Sequence, residues 1–141
     1  MSYLLDTCAL SEKLQRRPDR SFVRWIEAQD PMDLFISAIS IGEIEKGIQL
    51  LAESERKTKL AHWFSSDLIP FFENRTLEIG PIEARQWGRL FAQRQIEGEK
   101  PPVIDSLLAA TALTHGLTLV TRNEADFIPL GVDVLTPWTR N

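Results

Sequence analysis

Cysteine and long apolar runs are the scarcest features of this 141-residue sequence. The single cysteine, Cys8, has no partner for an internal disulfide, which favours a reducing cytoplasm. No apolar run approaches the ~20 residues that a membrane-spanning helix needs. The N-terminus enters a predicted strand without the basic and apolar regions of a signal peptide. We therefore expect a cytoplasmic protein with no membrane segment.

Positive charge and histidine are also in short supply. Lysine and arginine total 16 against 20 aspartates and glutamates, which gives a net charge of -4. This balance argues against a protein that binds nucleic acid through bulk positive charge. The two histidines, His62 and His115, are isolated, and with one cysteine they make no plausible zinc set. The sequence also lacks a Gly-x-Ser-x-Gly elbow and a Walker A loop, which excludes two further enzyme classes.

The order of predicted elements is that of an α/β protein. A hydrophobic content of 43% and a charged content of 26% are typical of a globular chain, and the length predicts one domain over residues 1–141. Short apolar runs alternate with helical patterns, which predicts a mainly parallel sheet. The predicted strands cover residues 2–5, 34–37, 77–79, 117–121 and 132–135.

Capping signals mark the predicted helices. The first helix follows the first strand and covers residues 7–16, and Asp19 is the predicted N-cap of the second. Ser40 and Glu43 have the spacing of a capping box, in which a hydroxyl precedes a glutamate by three residues. Gly116 is the predicted C-cap of a late helix that begins near residue 103.

Four acids stand where an α/β fold places a ligand. Asp6 ends the first strand, Glu43 opens the helix after the second, Asp105 opens the late helix, and Asp126 follows the fourth strand by a short turn. The carboxyl ends of parallel strands form the crevice where ligands bind. Carboxylates gathered there repel one another unless a cation joins them. Hard oxygen ligands suit Mg²⁺ or Mn²⁺, so the pattern indicates a divalent metal site.

Each acid also has a structural interpretation. Asp6 is a typical helix N-cap, and Glu43 is explained by the capping box. Asp126 fits a solvated turn, unless Asn123 caps the short helix there and frees Asp126 for a ligand. Asp105 is harder to explain structurally, because an aspartate on an apolar helix stripe needs a partner. The joint arrangement, more than any single acid, favours a functional site.

At these residues the sequence resembles PIN-domain proteins of the VapC/FitB toxin type. The resemblance spans nearly the whole chain. The matching segments are Leu4-Leu5-Asp6-Thr7, Ile41-Gly42-Glu43-Ile44 with Gly47, residues 104–112, and Thr121-Arg122-Asn123-Glu124-Ala125-Asp126-Phe127. Ser11-Glu12 and the closing Pro137-Trp138 are similar to the FitB-like subgroup.

The resemblance implies a three-layer α/β/α fold and a Mg²⁺- or Mn²⁺-dependent endoribonuclease. It implies that the metal-binding catalytic acids are Asp6, Glu43, Asp105 and Asp126, with polar support from Thr7, Thr121 and Asn123. In some FitB-like relatives the final acid falls at the position of Asn123. Cys8 departs from the family, because relatives often carry asparagine or serine there.

The same resemblance implies the partners. Such proteins are commonly homodimers and the toxins of type II toxin–antitoxin pairs. A small antitoxin covers the acidic site and often recruits operator DNA, so contact with DNA is expected only through the antitoxin. The expected substrate is RNA, and the expected reaction is metal-assisted hydrolysis of a phosphodiester. Candidate cations for guiding the substrate include Arg85, Arg89 and Arg122, although each also fits an ordinary solvated charge.

Two other functions stay open from the sequence. One is an aspartyl-phosphate transfer domain with Asp6 as nucleophile; such domains usually carry a second acid beside the first, whereas Thr7 and Cys8 follow here. The other is a PIN-like module that binds RNA or protein without turnover. The presence of all four acids argues against the second.

Overall fold

A computed structural model describes residues 1–140, and its centre is a parallel five-stranded sheet. The strand order is β3-β2-β1-β4-β5, and every neighbouring pair runs parallel. The strands are β1 (Tyr3–Leu5), β2 (Leu34–Ser37), β3 (Thr76–Leu77), β4 (Thr118–Val120) and β5 (Val134–Leu135). The predicted fold class, α/β with a mainly parallel sheet, is confirmed. All five predicted strands are present, and four of them are shorter than predicted; β3 also begins one residue before its predicted start.

The helices connect and cover these strands. They are α1 (Thr7–Ser11), α2 (Arg20–Glu27), α3 (Ala38–Gln49), α4 (Glu55–Trp63), α5 (Ile69–Phe71), α6 (Pro81–Ile96), α7 (Val103–His115) and α8 (Glu124–Phe127). A π-helical segment, Phe64–Leu68, joins α4 to α5. Among residues 1–140, no helix is both long and apolar enough to cross a bilayer.

The direction in which successive strands are added to the sheet changes between β1 and β4. From β1 the chain builds outward to β2 and β3, and later strands build to the other side through β4 and β5. At such a switch point the loops after the two strands diverge and leave a crevice. Asp6 directly follows β1, and Thr121 directly follows β4. The topology therefore directs two of the predicted site residues to the crevice.

Two apolar cores lie on opposite faces of the sheet. On β1, Leu5 belongs to the core that includes Phe22 of α2 and Ile44 of α3. Its neighbour Leu4 belongs to the other core, with Leu108 of α7. Successive strand residues point to opposite faces, so one strand with apolar residues on both faces requires helices on both sides. This arrangement is the predicted three-layer fold.

Two predicted helix boundaries need correction. The first helix is shorter than the predicted 7–16, because α1 ends at Ser11 and a 3₁₀ turn, Glu12–Leu14, follows. The capping-box prediction at Ser40 is wrong: the hydroxyl of Ser37, at the end of β2, accepts the Ile39 N–H at 3.0 Å. The helix therefore begins one turn earlier than predicted, and Ser40 is buried inside α3.

Candidate metal centre

Asp6 combines a structural and a potential ligand role in one carboxylate. Its Oδ1 accepts the Thr7 N–H at 2.7 Å and so caps α1. Its Oδ2 accepts the Thr121 hydroxyl at 2.8 Å. The side chain is 8% exposed, and its backbone N–H donates to the Val120 carbonyl at 3.0 Å. The capping interpretation is therefore correct, but it uses only one oxygen and leaves the other facing the end of β4.

Glu43 lies in the second turn of α3, since that helix begins at Ala38. Its Oε1 accepts the Thr7 hydroxyl at 2.9 Å. With the capping box removed, the structural explanation for this glutamate no longer holds. Its carboxylate instead contacts the residue directly after Asp6, so α1 and α3 meet at a pair of acids bridged by Thr7.

Asp105 has a raised pKa, to which burial and the charges of the other three acids contribute. It lies in the first turn of α7 and is half-buried. Burial first, and then the charges of Asp6, Asp126 and Glu43 in that order, together raise the pKa of its carboxyl from 3.8 to about 6. Like charges raise a carboxyl pKa only when they lie nearby. Asp6, Asp126 and Glu43 therefore all lie near Asp105.

Asp126 is exposed and lies in α8, whose N-terminal side holds Asn123. The backbone N–H of Asn123 donates to the Thr121 hydroxyl at 3.1 Å. The Asn123 side chain makes no capping hydrogen bond to α8 within the part of the chain that the structure describes. Asn123 thus occupies the predicted N-cap position without capping through its side chain. After burial and the charge of Asp6, the negative charge of Asp126 helps to raise the pKa of Asp105.

The charges of this group are not balanced by cations. The ion pairs found within residues 1–140 include none with Asp6, Glu43, Asp105 or Asp126. Asp6 accepts the Thr7 N–H and the Thr121 hydroxyl, and Glu43 accepts the Thr7 hydroxyl; none of these donors carries a charge. An all-oxygen donor set with excess negative charge fits a hard divalent cation. Over the same residues, no three His, Cys, Asp or Glu side chains are arranged closely enough to hold a metal as they stand.

Cys8 lies beside the acids as a protonated thiol. Its Sγ is 3.8 Å from Asp6 Oδ2 and 4.0 Å from the Thr121 hydroxyl. Burial first, and then the negative charge of Asp6, raise the thiol pKa from 9.0 to about 11. In the metal-free protein the thiol therefore stays protonated at neutral pH, which makes it a poor nucleophile. Cys8 therefore supports Asp6 as a weak hydrogen-bond donor.

The predicted substrate cations lie in different settings. Arg85 and Arg89 are exposed on α6. Arg122 is partly engaged, since its Nη1 is 3.5 Å from Glu12 Oε1 and its guanidinium lies 5.7 Å from the Trp138 ring centre. None of the three is an ion-pair partner of the four acids within residues 1–140.

A groove with different cations opens beside the acids. It has a volume of about 1110 Å³, and Thr7 and Glu43 line it together with Arg16, Arg56 and Lys59. Its apolar lining includes Ile44, Ile48, Leu51, Leu60 and Trp63. The sequence analysis missed these three cations. The spacing of Arg56 and Lys59, three residues apart on α4, indicates a shared helix face, but only the packing of α4 shows that this face turns to the groove.

Comparison with known proteins identifies related sequences. The PIN-domain family model matches residues 3–129. The chain is 33% identical over 135 residues to the plasmid stability protein StbB of Pseudomonas syringae pv. tomato, covering 96% of this chain and 97% of that protein. It is 31% identical to the VapC ribonuclease Y4jK of Sinorhizobium fredii, covering 96% of both chains. It is 30% identical to the toxin FitB of Neisseria gonorrhoeae, covering 96% and 97%.

Solved structures have the same fold over the same length. A structure of FitAB bound to a DNA fragment superimposes with a TM-score of 0.91 at 29% identity, covering 99% of this chain and 97% of that one. The crystal structure of FitAcB from Neisseria gonorrhoeae also gives 0.91, at 30% identity, with 98% and 99% covered. The likeness therefore extends over essentially the whole chain.

Proposed function

Because the chain belongs to the PIN-domain family, we propose that it is a divalent-metal-dependent endoribonuclease that acts as the toxin of a type II toxin–antitoxin pair. The observation that carries the proposal is the gathering of carboxylates at the switch point of the sheet: the hydroxyls of Thr121 and Thr7 donate to Asp6 and Glu43 there. After burial, the charges of Asp6, Asp126 and Glu43 help to raise the pKa of Asp105 beside them. The name of the relative described as a VapC ribonuclease supports the same reaction.

The proposed ligands of one or two Mg²⁺ or Mn²⁺ ions are Asp6, Glu43, Asp105 and Asp126. Such an ion supplies Lewis-acid stabilisation of charge on a phosphodiester and lowers the pKa of a water. The protein's own groups supply orientation: Thr7 holds the Glu43 carboxylate, and Thr121 holds Asp6 Oδ2. Asn123 supports Thr121 through its backbone N–H. These bonds fix two of the four carboxylates before any ligand arrives.

The groove next to Glu43 is the proposed path for the RNA strand. Arg16, Arg56 and Lys59 line it, and cations along a groove guide a phosphate backbone. Arg85, Arg89 and Arg122 remain further candidates for substrate contact. The three cations outnumber the two acids that also line the groove, Glu43 and Glu55, so a local excess of positive charge reconciles RNA binding with the net charge of -4.

A small antitoxin protein is the proposed partner, with operator DNA bound only through it, and the toxin itself is proposed to be a homodimer. The solved FitAB structure contains DNA, and a relative is described as the toxin FitB. Expression of the chain alone in a bacterial host should arrest growth, and co-expression of the product of the adjacent small gene should relieve the arrest. Relief by an unrelated small protein would count against a specific partner.

The enzymatic proposal has a direct test. Purified protein should cleave structured RNA with Mg²⁺ or Mn²⁺, stop when EDTA is added, and resume when the metal is restored. Cleavage that persists in EDTA would exclude a metal-dependent nuclease. Metal binding without cleavage would instead favour the non-catalytic PIN-like module, and a stable aspartyl-phosphate on Asp6 with intact RNA would favour the phosphotransfer domain.

A further inference from the structure

The C-terminal tail, residues 135–140, is bound to the loop that follows β4. The Leu135 carbonyl accepts the Thr121 N–H at 3.2 Å. The Thr136 hydroxyl donates to the Thr121 carbonyl at 2.9 Å. Both backbone polar groups of Thr121 are therefore bonded to the tail, so the position of this residue depends on where the tail lies.

Trp138 anchors the tail in the core. Its ring is 4% exposed and stacks on Phe22 with ring centres 4.6 Å apart and an angle of 20°. Its indole N–H donates to Glu12 Oε1 at 2.6 Å. The next residue, Thr139, donates its N–H to both carboxylate oxygens of Asp19, at 3.1 and 3.2 Å. The tail is thus docked by an apolar stack and two carboxylates.

Glu12 joins three segments at one buried carboxylate. It is 4% exposed and lies just beyond α1, the helix that Asp6 caps. Besides the indole of Trp138, it accepts the Asp19 N–H at Oε2 at 3.2 Å and lies 3.5 Å from Arg122. One side chain therefore ties the end of α1 to the β4–α8 loop and to the tail.

Thr121 connects the docked tail to Asp6. Its buried hydroxyl donates to Asp6 Oδ2 at 2.8 Å and accepts the Asn123 N–H at 3.1 Å. A continuous chain of contacts runs from Glu12 through Trp138 and the tail to Thr121, and from Thr121 to Asp6. The loop that begins at Thr121 also leads into α8, which carries Asp126.

We propose that Glu12 and Trp138 are positioning residues, which hold the Thr121 loop so that its hydroxyl orients Asp6 and its helix presents Asp126 to Asp105. This inference rests on the proposed function for its catalytic consequence, but the positioning itself is a property of the protein without metal. Outer groups that orient ligand side chains commonly contribute ~10–100-fold to metal affinity or activity. Neither Glu12 nor Trp138 touches the reacting atoms in this proposal.

The test uses Trp138→Phe, which keeps an aromatic ring against Phe22 and removes the indole N–H. The matched control is Trp25→Phe, since Trp25 packs edge-on against Tyr3 at 5.0 Å and is not part of the tail. Amide hydrogen exchange is measured on the metal-free protein. We expect Trp138→Phe to speed exchange ~10-fold at Thr121 and Asn123, while the Ile39 N–H, capped by Ser37, exchanges as in the wild type.

Metal and RNA measurements complete the test. In Trp138→Phe the dissociation constant for Mn²⁺ should rise ~10-fold. The kcat for RNA cleavage should fall by a similar factor, with KM within about twofold. Trp25→Phe should leave exchange at Thr121, Mn²⁺ affinity and kcat unchanged. A merely structural tryptophan would instead lower the melting temperature and speed exchange throughout the chain, with unaltered Mn²⁺ affinity at temperatures where the variant is folded, and that result would overturn the proposal.

A second variant covers the case in which Trp138→Phe fails to fold. Thr136→Val removes only the hydroxyl that donates to the Thr121 carbonyl and leaves the stack on Phe22 in place. We expect ~3-fold faster exchange at Thr121, and unchanged exchange there would contradict the proposal. If the wild type binds no Mn²⁺ and cleaves no RNA, the proposed function is wrong, whereas the exchange of Thr121 in the metal-free protein still decides whether the tail positions it.

Discussion

Two groups of carboxylates in this protein have opposite electrostatic surroundings. Glu12 is buried, accepts two N–H groups and has a guanidinium at 3.5 Å. Asp105 is half-buried, and the charged groups that raise its pKa are three other carboxylates. Glu12 therefore receives both hydrogen bonds and a positive charge from the protein itself. The crevice acids Asp6 and Glu43 accept only uncharged donors, and no ion pair found within residues 1–140 includes any of the four acids. The comparison therefore predicts that the crevice acids, and not Glu12, bind a cation from outside the chain.

The largest expected effect follows from removing one crevice acid. Asp6→Asn should lower RNA cleavage by about a thousandfold, because loss of a ligand forfeits several kcal/mol of charge stabilisation and each ~1.4 kcal/mol is a factor of ten. The rate is measured on a labelled RNA with saturating Mg²⁺. Asp67→Asn, at an exposed aspartate in the π-helical segment, is the control and should cleave normally. Equal activity of both variants would remove the distinction between the crevice acids and other acids.

Added metal should stabilise the native protein through the crevice acids. Mn²⁺ at a hundredfold excess over its dissociation constant should raise the free energy of unfolding by ~2.7 kcal/mol, provided that it binds only the native state. Urea denaturation of the wild type and of Asp6→Asn, each with and without Mn²⁺, measures the difference. The gain should be absent from Asp6→Asn. A gain of the same size in that variant would place the bound metal elsewhere.

The hydrogen bonds of Glu12 with the Trp138 indole and the Asp19 N–H should contribute to stability in the absence of metal. Glu12→Leu should lower the free energy of unfolding by ~2 kcal/mol, because it leaves the indole N–H of buried Trp138 without an acceptor. Glu97→Leu is the matched surface control: its pairing with Arg94 is partly exposed and contributes at most ~1 kcal/mol. A Glu12→Leu variant no less stable than the control would mean that these hydrogen bonds contribute nothing to the free energy of unfolding.

The smallest expected effect is the pH dependence that Asp105 imposes. Because the pKa of its carboxyl is raised from 3.8 to about 6, the folded protein holds a proton there after the unfolded chain has released it. Native binding of more protons makes stability fall as the pH rises, here between about 4 and about 6. After a discount for the partial exposure of the side chain, the loss is ~1 kcal/mol.

Asp105→Asn removes this proton and should abolish that fall. The variant should be more stable than the wild type by ~1 kcal/mol at neutral pH and should have lost RNA cleavage. Urea unfolding of both proteins between pH 4.5 and 7.5 isolates the contribution of Asp105 by difference. Parallel curves would mean that neither burial nor the crevice charges raise the pKa of Asp105. Unfolding of the metal-free variant would make Asp105 a structural residue.

Strand-end reasoning predicted where the candidate acids lie in the fold but not which residues hold them in place. Asp6 and Asp105 could be found because each interrupts an apolar pattern locally, and the helix-strand alternation predicts the sheet that brings strand ends together. Ser37 and Ser40 both precede an apolar helical pattern, so the sequence did not distinguish the true N-cap. That choice depends on where β2 stops pairing, which is a tertiary property.

The role of Glu12 was beyond local reasoning for a different reason. Its indole partner, Trp138, is 126 residues away in the chain, and no periodicity links the two. The resemblance to the FitB-like subgroup includes both positions but does not indicate that the two side chains are in contact. The groove cations Arg56 and Lys59 were missed likewise, because helix spacing gives a shared face but not what that face contacts.

The central claim is that the four crevice acids bind a common divalent ion. A crystal structure of the protein with Mn²⁺, read through its anomalous difference map, tests it most directly. We expect a peak in the crevice with carboxylate oxygens of at least Asp6 and Asp105 within ~2.0–2.3 Å, close to the distances that small hard cations adopt. A crystal that contains Mn²⁺ bound only at other surfaces, with the crevice acids held apart, would contradict the claim.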